Sequence, residues 1–188
     1  ALRTLVPVGV TGAIIGTVHL AVEAPEVLYA TIDSVTVTPP VAPATATVTT
    51  MELTVKDGSN RGALGLKGGS SGHIRAGIAK LVPGTNGEPD EWVSYLTAKK
   101  TVGTLNTSGA TTERGTLVDH GDGTYTYTFQ ADLALVKDAL SAQLIGYDPA
   151  LTHRVAFQIS GSVNNIAFPA MNASFDFVPD GGTAAKRE

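Results

Sequence analysis

Residues 115–130, GTLVDHGDGTYTYTFQ, decide the fold class of this chain. Asp-Gly pairs are typical of tight hairpin turns, because glycine accepts positive φ and aspartate caps the turn with its side chain. After the turn, Tyr125, Tyr127 and Phe129 alternate with threonines, which is the period of two of a β-strand. The stretch therefore predicts a hairpin with its aromatic side on a core and its threonine side in water.

Similar alternation recurs along most of the chain. It predicts further strands over residues 30–38, 46–56, 74–82, 154–161 and 172–178. In the second of these, a slip near residues 49–50 is expected to bring Val48 onto the apolar face. Only 16% of the residues are charged and 21 are glycine, which is typical of strands joined by turns rather than of helices.

Residues 132–143, DLALVKDALSAQ, predict the one short helix. Leu133, Val136 and Leu140 are spaced three and four apart, and Asp132 stands at the N-cap position. Many strands with a single helix predict an all-β fold, either a Greek-key split barrel or an immunoglobulin-like sandwich.

The length of 188 residues suits one domain. We expect a single β-domain over residues 1–178, with an irregular segment over 1–29, and a polar linker over 179–188. Pro7, three glycines and His19 interrupt the apolar stretch 5–22, which predicts neither a membrane span nor a signal peptide. If the protein is exported, its signal is expected to have been removed before Ala1.

Charge and cysteine usage exclude several function classes. The net charge is −4 and the 13 Lys and Arg residues are scattered, so no basic patch for nucleic acid is predicted. The chain has no cysteine, which excludes disulfides, thiol nucleophiles, cysteine-based metal sites and thioether-bound haem within it.

Three segments, in order, carry a family resemblance: residues 73–95 (HIRAGIAKLVPGTNGEPDEWVSY), 115–129, and 147–161 (YDPALTHRVAFQISG). Together they resemble the N-terminal β-domain of the OmcA/MtrC-type outer-surface decahaem c-type cytochromes. The resemblance covers roughly residues 30–188. The tail FVPDGGTAAKRE resembles the stretch that precedes the first haem-attachment site in that family.

The resemblance implies a haem-free structural and docking domain of an extracellular multihaem cytochrome in extracellular electron transfer, without enzymatic activity of its own. Haem c would lie in the parent protein or in a partner chain, and residues 179–188 would lead towards the haem-bearing region. The implied partners are haem-bearing domains of the same or an associated cytochrome, with outer-membrane proteins as a further class. The implied location is the cell surface, the outer membrane or the extracellular space.

Two alternatives remain open. The hairpin and the β-rich composition alone also fit an immunoglobulin-like surface adhesion or carbohydrate-binding module. A separate haem-free subunit could instead coat a cytochrome assembly, lending sheet edges to a partner by β-augmentation.

Candidate site residues are few. The four histidines form no metal-binding pair; His153 could serve as a distal haem ligand, but a strand-end histidine with its hydrogen bonds satisfied within the fold is the main interpretation. Asp119 and Asp122 could suggest a calcium loop, yet they lack EF-hand spacing and fit a hairpin turn better. No nucleophile motif or phosphate loop is present, so neither a catalytic nor a metal site is predicted.

Overall fold

The computed structural model describes residues 27–42, 45–163 and 166–185. Within these ranges the chain forms ten strands. They are β1 (Tyr29–Thr38), β2 (Val48–Lys56), β3 (Ile74–Val82), β4 (Glu91–Ser94), β5 (Thr97–Val102), β6 (Leu105–Ala110), β7 (Thr116–Asp119), β8 (Thr124–Thr128), β9 (His153–Val163) and β10 (Ile166–Phe177).

Eight of the strands form two four-stranded antiparallel sheets that pack into a sandwich. Sheet 1 has the order β1-β2-β8-β7, and sheet 2 has the order β10-β9-β3-β4. Strands β5 and β6 form a separate hairpin. The all-β prediction is confirmed, and of the two predicted architectures the sandwich is the one that forms.

The split barrel does not form. Strands β1 and β10 lie close together at one side of the sandwich, but within the described residues no backbone ladder joins the two sheets. Each of these edge strands contains a register shift, between Ile32 and Ser34 in β1 and between Phe168 and Met171 in β10. Such bulges bend a strand and interrupt its pairing, which keeps the two edges from closing into one ladder.

The predicted hairpin is confirmed as β7 and β8, paired from Thr116 to Thr128. Tyr125 and Tyr127 are fully buried between the sheets, where Tyr127 packs edge-on against Phe129 at 5.1 Å. Both hydroxyl groups reach the backbone: Tyr125 donates to the Ala63 carbonyl at 2.6 Å, and Tyr127 accepts from the amide of Gly115 at 2.5 Å. Each ring thus fills the core without leaving its polar atom unpaired.

The helix predicted over residues 132–143 is wrong, because the described residues contain turns there. A turn forms in place of a helix because Asp138 Oδ1 accepts hydrogen bonds from the amides of Leu140 and Ser141, which bends the backbone. Side-chain bonds of this kind compete with helical ones. Leu133 is buried, but Leu140 is 44% exposed, so the apolar stripe does not face the core.

The slip predicted in the second strand is also wrong. Strand β2 pairs without interruption, which leaves Val48 42% exposed and turns Thr49 into the core. The extra residue sits in the partner strand instead, at Asp33 of β1. Thr49 Oγ1 is consequently buried without a hydrogen-bond partner among the described residues.

No helix of the described residues is long and apolar enough to cross a membrane.

Candidate functional site

His153, the candidate haem ligand, begins β9 and is fully buried. Its Nδ1 lies 2.8 Å from the carbonyl oxygen of Leu151, which can only accept, so Nδ1 carries the proton. Nε2 is then free to accept, and the hydroxyl of Tyr95 donates to it at 2.9 Å. Both ring nitrogens are thus engaged inside the protein.

The surroundings of His153 favour the neutral ring. Tyr147 and Phe177 pack against it with ring centroids 5.6 Å away. Burial lowers the pKa of His153 below 6.5, and the charge of Lys80 lowers it further. An iron ligand at Nε2 would have to break the bond to Tyr95 and reach the ring through this packing, so the geometry favours a core role.

His73 also has both ring nitrogens engaged within the protein. Its Nδ1 accepts from the amide of Lys67 at 2.9 Å, and its Nε2 therefore donates to the carbonyl oxygen of Ser162 at 2.9 Å. The side chain is 9% exposed and ties the glycine-rich loop 65–72 to β9. This histidine also has no ring nitrogen left for a ligand.

His120 is exposed in the turn between β7 and β8, and His19 lies outside the described residues. The two aspartates of that turn are used by the backbone: Asp119 accepts from the amides of Gly65 and Gly121, and Asp122 accepts from the amide of Thr124. Hairpin closure accounts for them. In the described ranges, no three His, Asp or Glu side chains come together in a way that could hold a metal ion.

A trough lies on the outer face of sheet 2. Ala156 and Ser174 face one another on β9 and β10 and form its floor. Thr112 borders the trough, whose volume is about 500 Å³.

One wall of this sheet 2 trough is a polar row. Arg75, Gln158 and Asn172 stand side by side on the same three strands. Arg75 and Asn172 are exposed, and none of the three side chains makes a hydrogen bond or ion pair with another described residue. The wall therefore presents several donors and two amide oxygens to whatever occupies the trough.

On the opposite side of the outer face of sheet 2, the charged side chains bind each other. Arg154 binds Asp176 through two hydrogen bonds of 2.6 and 2.7 Å, and its guanidinium lies 4.4 Å from the ring centroid of Trp92. A planar fork held by a carboxylate and an aromatic ring is a rigid arrangement. It forms a fixed rim beyond the floor.

The last described residues pack against the segment that precedes β9. The amide of Asp180 donates to the carbonyl oxygen of Pro149, and the amide of Ala185 donates to Thr152 Oγ1 at 2.7 Å. Thr152 is buried and lies directly before β9. The last described residue is therefore held at the start of that strand.

Sequence reasoning missed the trough. Alternation in β3 and β9 does separate Arg75 and Gln158 from the apolar set, and this was the available signal. It does not show that the two residues are neighbours, because they lie on strands far apart in the chain. Strand β10 also begins at Ile166, earlier than the predicted 172–178, so Asn172 was placed at a strand start rather than inside a sheet.

Solved structures that are similar to the chain include those of OmcA and MtrC. The crystal structure of the outer membrane decaheme cytochrome OmcA aligns with a TM-score of 0.62 and 27% identity, covering 86% of this chain and 24% of that one. MtrC from Shewanella baltica OS185 aligns with a TM-score of 0.59 and 24% identity, covering 87% and 24%. The chain thus spans about a quarter of either protein.

The sequence comparisons agree with the fold. No curated protein sequence matches the chain at a significant level. The family model of the OmcA-like N-terminal domain matches residues 79–184, which is more than half of the chain and includes β4, β9, β10 and the hairpin of β7 and β8. The resemblance inferred from the three segments is confirmed, and the chain belongs to the OmcA-like N-terminal domain family.

Proposed function

We propose that this chain is a haem-free structural and docking domain of an extracellular multihaem c-type cytochrome that takes part in extracellular electron transfer. Its membership of the OmcA-like N-terminal domain family carries the proposal. The solved relatives are about four times as long as the matched part, and the OmcA structure is that of a decaheme cytochrome. The chain itself has no cysteine for a thioether bond, so covalent haem must lie elsewhere.

A domain of this kind supports electron transfer without conducting it. Its buried tyrosines and His153 are held by internal hydrogen bonds, which suits a rigid scaffold. We propose that the chain has no catalytic activity of its own and that His153 serves the fold. In the same proposal, residues 1–178 form the domain and residues 179–188 lead towards a haem-bearing region.

The partners and the location follow from the same family. OmcA is described as an outer membrane cytochrome, and we infer that the protein containing this chain is exported and reaches the cell surface. Haem-bearing domains of the same protein are the first partners of the proposal. Outer-membrane proteins are the second.

The haem content of the complete gene product tests the proposal. We expect a protein about four times as long as this chain, as in the solved relatives, with C-x-x-C-H motifs and covalently bound haem visible in its reduced absorption spectrum. A complete product without such motifs would exclude the cytochrome assignment.

The same purification separates the alternatives. A mature protein of about 19.3 kDa that co-purifies with a cytochrome would identify a separate coating subunit instead. Glycan binding by a haem-free mature protein would identify a carbohydrate-binding module.

A further inference from the structure

We propose that the sheet 2 trough is a binding site for an acidic oligosaccharide, a short chain of sugar rings that carry carboxylate groups. Because the site is formed by residues of this chain, it does not depend on where haem lies, and it goes beyond the proposed function.

The polar side chains of the trough have no partners within the described part of the chain. Arg75, Gln158 and Asn172 form its wall, Thr112 borders it, and Ser174 belongs to its floor. None of the five side chains makes a hydrogen bond or an ion pair with another described residue. Polar side chains on a sheet face commonly pair across strands. Five unpaired ones around one trough can bind a ligand without breaking internal bonds.

The charge of the trough favours an anionic ligand. Arg75 is exposed, and no Asp or Glu is among the described residues that line the trough. The carboxylate on the opposite side of this face, Asp176, is already bound to Arg154. The chain as a whole carries a net charge of −4, so the trough is a cationic place on an acidic protein. A guanidinium group can hold a carboxylate through two parallel hydrogen bonds.

The groups next to Arg75 favour a ligand that is rich in hydroxyl groups. The amides of Gln158 and Asn172 and the hydroxyls of Thr112 and Ser174 can each donate and accept. The hydroxyl groups of a sugar ring also donate and accept, so they can pair with all four. An extended peptide that adds to a sheet needs a row of free backbone groups. Those of β9 are used in its ladders with β3 and β10.

The dimensions of the trough suit a short oligosaccharide. Its volume of about 500 Å³ lies within the range of sites for small ligands. The wall crosses three neighbouring strands, so the Cα atoms of Arg75 and Asn172 stand about 10 Å apart. A carboxylate bound to Arg75 would leave the following ring near Gln158 and Asn172, with Ala156 as a small apolar contact beneath it.

Calorimetric titration of the complete gene product that carries this chain tests the site. The probe is a short linear oligomer of galacturonic acid, and its methyl ester is the matched neutral ligand with the same rings. We expect saturable binding of the acid at low salt, at least about tenfold tighter than that of the ester, because the ester cannot form the ion pair. Added salt should weaken the binding of the acid by screening that pair.

Three variants locate the contact. Arg75→Gln should lower the affinity for the acid at least about tenfold, to the level of the ester. Gln158→Ala should lower it about threefold to tenfold through lost hydrogen bonds, while the binding stays salt-dependent. Arg61→Gln is the matched control, because it removes a guanidinium group that is bound to Asp57 and lies outside the trough. It should leave the affinity unchanged.

Equal losses of affinity in Arg75→Gln and Arg61→Gln would overturn the site, since binding would then follow the net charge alone. Tighter binding of a glutamate-rich peptide of the same length and charge would overturn it too, because the ligand would be a polypeptide. Lack of saturable binding of the acid by the complete product would have the same consequence. Absence of haem from that product is a separate result, which removes the proposed function and leaves the trough site intact.

Discussion

The two sheets bury their inner faces in one core, but they differ in how the polar side chains of their outer faces are paired. On sheet 1, the outer side chains bind one another: Thr54 donates to Asp33 at 2.6 Å, and Thr126 donates to Glu52 at 2.8 Å. These cross-strand bonds leave few polar atoms for a partner. The outer face of sheet 1 is therefore suited to contact with water.

Sheet 2 has an outer face of the opposite kind. Its central rows combine small residues, such as Gly77 and Ala156, with the unbonded side chains of Arg75 and Gln158. Both sheets have four antiparallel strands, so the difference lies in the side chains and not in the architecture. Among the described residues, the two outer faces thus differ in how their polar side chains are paired, and substitutions on either side of a strand can test that distinction.

The largest expected effect separates the inside of sheet 1 from its outside. Tyr127→Ala removes a fully buried ring and the partner of the Gly115 amide, and should lower the free energy of unfolding by about 3–5 kcal/mol. Its neighbour Thr126 faces outward, so Thr126→Ala should cost about 1 kcal/mol or less. Urea unfolding followed by circular dichroism measures both. Similar losses for the two variants would show that the faces are not distinct.

Elements of this sandwich whose signals are local could be predicted from the sequence. The hairpin of β7 and β8 was predictable, because the Asp-Gly turn and the alternation of Tyr125 and Tyr127 are local signals. The supposed helix over 132–143 was not, because its spacing is helical but Asp138 forms a turn that tertiary contacts support. Local chemistry predicts an element only where no distant partner competes.

The candidate site was less predictable than the fold. His153 was expected at a strand end and it begins β9, but its hydrogen-bond partner Tyr95 lies 58 residues away in the chain. The trough depends on the pairing of β3 with β9 and of β9 with β10, which no local pattern contains. Periodicity predicts the face of the sheet on which a residue lies. The order and register of the strands determine which residues are its neighbours on that face.

Sheet 2 should be the acid-sensitive half of the core, because it buries His153 as a neutral ring. Burial lowers the pKa of His153 in the folded chain, so the unfolded chain binds more protons as the pH falls below 6.5. The stabilisation is complete above pH 6.5 and should be lost at up to about 1.4 kcal/mol per pH unit as the pH falls towards the lower folded pKa. Urea unfolding between pH 5 and pH 7 measures this slope.

Glu113 makes a control necessary for that experiment. Burial raises the pKa of its carboxyl group, which has the opposite sign: stability falls as the pH rises from the unfolded to the folded pKa. The quantity to compare is therefore the slope of the wild-type chain minus that of His153→Gln. An identical slope in the two proteins would contradict an important contribution from this histidine.

Thr49 is a polar residue on the apolar inner face of sheet 1. Its hydroxyl is buried, and no described residue bonds to it. Thr49→Val keeps the shape and removes the unpaired group, so the free energy of unfolding should rise by about 1 kcal/mol. Thr50→Val, on the outer face of the same strand, is the matched control and should change stability much less. A loss of stability in Thr49→Val would mean that the hydroxyl has a partner.

The smallest effect is the one that bears most directly on the two outer faces. Ala156 occupies a central strand position where threonine has the higher β-propensity, so Ala156→Thr should stabilise this chain by about 0.5 kcal/mol. Thermal unfolding measures the shift. A loss of stability would mean that the floor of the trough has no room for the added atoms, which would contradict an open outer face of sheet 2.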